Sequence, residues 1–225
     1  MWLSGLFTEV LNAFVPCRCH FCARSYLARQ AKEPWFICPD CLGNLRYAPD
    51  KIELKTMSIF SFYDYNRLAS RLLRLYKYSG HYQMASFFAR LLISGIEQNK
   101  DISLADQNLI IPIPSPPKRQ QQRGYNHVGL IAREISRHFH APYSLSAISV
   151  KKTVRQQAGL NYSQRLQNLS CAFAVNNSIV SGRRVILIDD VVTTGATVTE
   201  AARALMAAGA QEEVKAVALF HSRQL

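Results

Sequence analysis

Two adjacent carboxylates, Asp189 and Asp190, stand at the end of the apolar run 185–188, and Thr193-Thr194-Gly195-Ala196-Thr197 follows at once. Side-by-side acids repel each other and lose hydration unless a cation, a hydroxyl or a helix terminus compensates them. A tight Thr/Gly turn opening a helix supplies backbone N–H groups, hydroxyls and the positive end of a helix dipole, which together make an anion site. Gly195 lets a backbone and a ligand approach closely. A ligand that satisfies both halves shows hydroxyls to the acids and a phosphate to the turn, as a ribose 5-phosphate does. Exchanging Gly195 for valine is expected to remove phosphate binding while leaving the fold intact.

Sulfur chemistry is concentrated at the other end of the chain. Five of six cysteines fall within the first 41 residues, and two Cys-x-x-Cys pairs, Cys19/Cys22 and Cys38/Cys41, are separated by 15 residues. That spacing is the one for a four-thiolate zinc site, in which two knuckles close a tetrahedron. Disulfides are the alternative, but no secretion signal accompanies them, and a redox Cys-x-x-Cys would not come doubled. Cys17 is a possible substitute for Cys19, and His20 a further possible ligand. A site of this type has no open coordination position, so its expected role is to hold together a segment too short for a core of its own. Cys171, alone in an apolar stretch, reads as a buried residue.

Charge gives a third signal. The 225 residues carry a formal net charge of +12, and residues 118–165 hold 9 Lys or Arg against the single Glu134. Such a surplus favours a polyanionic partner, nucleic acid or a polyphosphate ligand, over a plain solvated face. The zinc segment is nearly charge-balanced: residues 1–57 carry 7 basic and 5 acidic side chains. Hydrophobic content of 48% excludes a disordered chain, and no apolar run reaches the length of a membrane span. Residues 1–16 lack a basic leader and include Glu9, so they read as an amphipathic helix with Leu3, Leu6, Phe7, Val10, Leu11 and Phe14 on one face. A cytoplasmic location is expected.

The elements that must position these groups follow from periodicity. Residues 47–55 are polar and turn-forming and read as a linker, and 57–65 as an aromatic-rich strand. Two helices are expected over 66–98 with a break at Ser79-Gly80. Their apolar side is core, and Arg67, Arg71, Arg74 and Lys77 form a solvated basic stripe. Strands and helices then alternate: strands at 108–114, 143–150, 184–189 and 214–221, helices at 126–139 and 197–209. Alternation of this kind implies a parallel sheet with crossover helices, whose ligands bind beyond the carboxyl ends of the strands. The loops 115–125, 151–168 and 190–197 therefore share one rim. Lys118, Arg119 and Arg123 lie on the first of them, placed to neutralise a pyrophosphate or to contact a DNA backbone.

The run 185–197 resembles the phosphoribosyl pyrophosphate signature of type I phosphoribosyltransferases. A Walker B strand also ends in acids, but no Gly-Lys-Ser/Thr loop is present, and a receiver domain would carry an Asp beyond 190. The Pro-x-Pro at 112–114, Arg119, Arg123-Gly124-Tyr125-Asn126, Gln157, Leu160, Arg165 and Asn168, set behind a Cys-x-x-Cys segment, resemble the ComF/GntX family. These are bacterial proteins associated with competence and the use of external DNA. The resemblance implies an N-terminal helix and zinc-ribbon segment over 1–50 and a type I phosphoribosyltransferase-like domain over 58–225. It further implies that Asp189 and Asp190 bind ribose hydroxyls, 193–197 the 5-phosphate and 115–123 a Mg²⁺-associated pyrophosphate, with 151–168 where a lid would be. No residue stands out as a catalytic acid or base, and a hood for a nucleobase is expected from the N-terminal region, the helices at 66–98 and the cysteine segment, rather than from beyond the strand at 214–221. Two roles stay open: a DNA-utilisation protein that keeps a phosphoribosyl pyrophosphate pocket and contacts DNA through its basic face, or an active Mg²⁺-dependent transferase.

Overall fold

A computed structural model of the chain describes residues 16–27, 36–54, 56–105, 107–151 and 172–222. The expected amphipathic helix before Pro16 lies outside the described residues. So do Lys152, Arg155, Gln157, Leu160, Arg165, Asn168 and Cys171 of the basic stretch and its flank.

The main sheet has five strands in the order β3-β4-β9-β8-β5. They are β3 Tyr47–Leu54, β4 Met57–Asp64, β5 Asn108–Pro112, β8 Arg184–Val192 and β9 Gln211–His221. Neighbours from β4 to β5 are parallel, and β3 is antiparallel to β4. The expected parallel sheet thus gains an antiparallel edge from residues 47–54, within the stretch expected to be a linker. Their polar composition suits an exposed edge, and the irregularity between Tyr47 and Asp50 accommodates Pro49, which cannot donate to a ladder.

Successive side chains on a strand point to opposite faces, and the sheet buries both. On one face Val185 and Leu187 of β8 join Ile59, Ala216 and Ala218 beneath α7 (Ala196–Ala207). On the other, Ile186 and Ile188 join Phe60, Phe62, Val217 and Leu219 beneath α2 (Arg67–Tyr78), α3 (Met84–Gln98) and α5 (His127–Phe139). The break between α2 and α3 falls where expected, with Gly80 at φ +70°. Asn66 and Asn126 cap α2 and α5, their side chains accepting from the N–H of Ala69 and Gly129 at 2.9 Å each.

Two expectations need correction. Residues 143–150 are not one strand: only β6 (Ile148–Val150) is, paired with β7 (Phe173–Val175) in a separate two-stranded sheet that the short helix α6 (Asn177–Val180) follows. The Ser144 hydroxyl accepts from the backbone of Ser146 and Ala147, and this local turn competes with a continuous ladder. The stretch 115–125 is not all loop, for it carries α4 (Pro117–Arg123). Pro117 opens that helix with a missing N–H that no partner needs, and Gly124 at φ +77° ends it.

The metal segment comprises β1 (Pro16–Arg18), β2 (Ser25–Leu27) and α1 (Pro39–Leu42). Its Phe36, Ile37, Cys38, Cys41 and Leu45 belong to the same core as Phe87 and Phe88 of α3. The Phe36 ring meets Phe87 edge-on at 5.1 Å, and Arg71 of α2 donates to the carbonyl of Phe21 at 3.0 Å.

Candidate functional site: the rim at the end of β8

Strand parity divides the acid pair. Asp190 continues the face of Ile186 and Ile188 toward α2 and α5, whereas Asp189 lines a small pocket with Val191, Val192 and residues 193–198. Asp189 Oδ1 also accepts from the N–H of Asp190 at 2.8 Å. Burial, then repulsion from Asp190, pushes the Asp189 carboxyl up to about 8.

Asp190 is surrounded by protein. Its Oδ2 lies 2.5 Å from Lys77 Nζ and 2.8 Å from His127 Nε2, and its side chain is 7% exposed. Burial alone would raise this carboxyl, but His127 and Lys77 outweigh burial and hold it below the usual carboxylate range. Lys77 therefore leaves the solvated basic stripe to which its helical spacing assigned it. The last turn of α2 brings it over the end of β8, while Arg67, Arg71 and Arg74 do face solvent.

His127 escaped the sequence reading. Its one signal is position, directly after the Arg123-Gly124-Tyr125-Asn126 motif, at the first residue of α5. The ring is buried: Nε2 meets Asp190 and Nδ1 lies 3.0 Å from Arg123 Nη1. The Tyr76 hydroxyl donates to the His127 carbonyl at 2.6 Å, and the Tyr125 hydroxyl donates to the Tyr76 carbonyl. The motif thus shapes the corner between α4 and α5: Arg123 reaches the ring, Gly124 turns the chain, Tyr125 anchors it to α2 and Asn126 caps α5.

Arg123 also donates through Nη2 to the Tyr78 hydroxyl at 3.2 Å and lies 5.0 Å from the centre of that ring. Its Nε is buried without a hydrogen-bond partner among the described residues, a donor that an acceptor oxygen would satisfy. Lys118 and Arg119 stand exposed on α4, on the same helix as Arg123.

Thr193, Thr194 and Thr197 are exposed, Ala196 is half-buried, and the helix α7 begins behind them. Gly195, its N-terminal cap, has φ +73° and offers no side-chain oxygen, so the first N–H groups of α7 are presented with only a long contact from Thr194 Oγ1 to Ala196 N at 3.4 Å. This is an anion-binding geometry. A Cβ on Gly195 would lie 3.0 Å from Ile59 Cδ1. Glycine is needed here for the left-handed backbone and for packing on β4, so valine would disturb the fold as well as any ligand.

The four cysteines of the N-terminal segment, Cys19, Cys22, Cys38 and Cys41, bring their sulfurs within 4.8 Å of one another. Cys22 Sγ and Cys38 Sγ are 3.7 Å apart, the separation of two sulfurs about 2.3 Å from a shared tetrahedral zinc. The N–H groups of Phe21 and Cys22 point at Cys19 Sγ at 3.4 and 3.5 Å, as in a metal knuckle. Burial pushes the Cys38 and Cys41 thiols up, so thiolates there call for a cation. Cys17 and His20 are not in this group. Cys17 lies on β1, and His20 meets the His81 ring edge-on at 5.5 Å. Among the described residues, the four cysteines are the only group of three or more metal-ligating side chains brought together.

A doubly covered, largely parallel sheet whose fourth-in-order strand ends in two acids and a Thr/Gly helix start defines a type I phosphoribosyltransferase fold. The model of the Phosphoribosyl transferase domain accordingly matches residues 129–225. Competence protein F of Haemophilus influenzae is 34% identical over 146 residues, 64% of this chain and 64% of that protein. DNA utilization protein YhgH of Escherichia coli O157:H7 is 30% identical over 205 residues, covering 85% of this chain and 87% of the relative. Competence protein ComFC of Bacillus subtilis is 28% identical over 187 residues, 83% and 72% of the two chains. The chain belongs to the ComF family of competence and DNA utilization proteins.

Proposed function

We propose that this protein serves the utilisation of DNA and does so with a pocket for phosphoribosyl pyrophosphate at the end of β8. The observation that carries the reading is the pairing of Asp189 with the exposed Thr193–Thr197 turn in one pocket, in a chain akin to competence and DNA utilization proteins over most of its length. The start of α7, with Gly195 and Ala196, takes the 5-phosphate through its backbone N–H groups. Asp189 takes the ribose hydroxyls from this pocket, with Asp190 fixed behind it by Lys77 and His127. Arg123 takes the pyrophosphate with Mg²⁺, its buried Nε supplying an unused donor, and Lys118 and Arg119 add exposed positive charge. Zinc holds the cysteine knot, and the basic face contacts DNA.

Asp189, a carboxyl pushed up to about 8, stands at this rim and supplies a proton donor for any transfer to an acceptor. Complementation separates the roles. A deletion strain tested for growth on external DNA should be restored by the wild-type gene and not by the Asp189→Asn, Thr194→Asp double variant. Full restoration by that variant would show that the pocket is scaffold and that DNA contact alone serves the role.

A further inference from the structure

We propose that His127 is a positioning residue of the rim: a neutral ring, protonated on Nε2, that ties Arg123 to Asp190 and on whose neutrality ligand binding depends. The proposal rests on the phosphoribosyl reading and adds to it how the pyrophosphate side and the ribose side are held in register.

The donor and acceptor inventory fixes the ring. Arginine has five N–H donors and no acceptor, so the Nδ1 that faces Arg123 Nη1 at 3.0 Å must present a lone pair. Asp190 has Lys77 at 2.5 Å and accepts from the ring at 2.8 Å, so the proton sits on Nε2. The ring has little room to choose otherwise. Asn126 caps the helix it begins, Tyr76 holds its carbonyl, and its side chain is 5% exposed. Arg123 is thereby joined to the end of β8 through one imidazole, whereas Lys118 and Arg119 stand exposed on the same helix.

A second proton would break this arrangement. It would place N–H against N–H across 3.0 Å and drive Arg123 from its place. The charged and titratable groups facing the ring are Lys77 and Tyr76 from α2, Arg123 from α4 and Asp190 from β8, with Tyr125 against Tyr76 and Asp189 next to Asp190. Burial, seconded by Lys77 and Arg123, opposes protonation more than Asp190 favours it, so the ring stays neutral below the usual imidazole range.

Glutamine offers one donor and one acceptor at similar reach and cannot titrate; phenylalanine offers neither. The test is calorimetric titration of the full chain with phosphoribosyl pyrophosphate and Mg²⁺ at about pH 7.5 and about pH 4.5, either side of an ordinary imidazole. Wild type, His127→Gln and His127→Phe are compared, with circular dichroism checking the fold at each pH. ¹⁵N NMR reads the ring tautomer of the ligand-free wild type. His127→Gln should bind within about threefold of wild type at the higher pH, and His127→Phe should lose about tenfold or more, the equivalent of about 1.4 kcal/mol. On acidification wild type should lose at least about threefold more affinity than His127→Gln, since ligand and Asp189 titrate alike in both. The NMR should show a neutral ring protonated on Nε2. Parallel pH profiles for wild type and His127→Gln, or a proton on Nδ1, would overturn this proposal while leaving the pocket standing. Absence of binding by wild type at both pH values would overturn the phosphoribosyl reading and this proposal together.

Discussion

The cysteine knot draws its four sulfurs from two short segments, 19–22 and 38–41, whereas the rim draws its charged groups from α2, α4, α5 and β8. In the knot like groups converge, and their mutual repulsion as thiolates is relieved only by a cation from outside. In the rim unlike groups converge: Lys77 and His127 compensate Asp190 from within the chain, and Arg123 meets the far side of the His127 ring. On the proposed zinc reading, the order of the knot depends on its metal. The rim is organised by its own residues before any ligand arrives, which is the condition for electrostatic preorganisation.

The largest effect should come from breaking the knot. Cys41→Ser, or chelation of the wild type, should release about one metal ion per chain and lower Tm by about 10 °C or more, as for the loss of several kcal/mol from a chain of this size. Because Phe36 and Ile37 share a core with α3, the loss should spread beyond the segment. Elemental analysis with a thermal scan checks both points. A protein with intact cysteines and no bound metal would remove the contrast.

Lys77→Met tests the rim's internal compensation. Leaving Asp190 buried with one partner fewer should cost about 2–4 kcal/mol, while Arg74→Met on the exposed side of the same helix should stay within about 0.5 kcal/mol. Urea unfolding of the two variants measures the difference. Equal effects would mean that Lys77 belongs to the solvated stripe after all.

Proton linkage sharpens the rim further. The folded-state value of His127 lies below its ordinary 6.5, so its contribution to stability is lost as pH falls through that range. Asp189 is raised from 3.8 to about 8, so its contribution is complete at low pH and is lost as pH rises toward 8. The two slopes oppose each other below about pH 6.5, and above it the Asp189 slope dominates, at no more than about 1.4 kcal/mol per pH unit for one proton. Wild-type stability should fall between about pH 6.5 and 8. Asp189→Asn should flatten that limb, and His127→Gln should let stability keep rising on the acid side. Chemical denaturation at a series of pH values reads all three. Asn126→Ala, which removes only the cap of α5, should cost less than the loss of Lys77, about 1 kcal/mol.

The same contrast explains what could be read in advance. Cys-x-x-Cys pairs and the Asp-Asp-…-Thr-Gly run are local: the spacing that does the chemistry is a spacing along the chain, so both were legible, as were β4, β8, β9 and the α2–α3 break. Lys77 and His127 were not, because their partners are 113 and 63 residues away, and a lysine on a basic stripe or a histidine after a motif carries no local sign of a buried carboxylate. The fate of Asp190 was hidden for a related reason. Two adjacent acids look equivalent in sequence, and only the sheet's alternation sends one toward α5 and the other toward the turn. The edge strand at 47–54 failed as a linker because polar residues suit an exposed edge and a loop equally well.

The most direct measurement is calorimetric titration of wild type and Thr194→Asp with phosphoribosyl pyrophosphate and Mg²⁺. Aspartate at this exposed position suits the start of α7, where an acid is favourable, so the fold is retained while a phosphate is repelled. Binding by wild type that weakens at least about tenfold in Thr194→Asp is the predicted result. Equal binding by the two proteins, or none by wild type, would contradict a phosphoribosyl pocket at the end of β8.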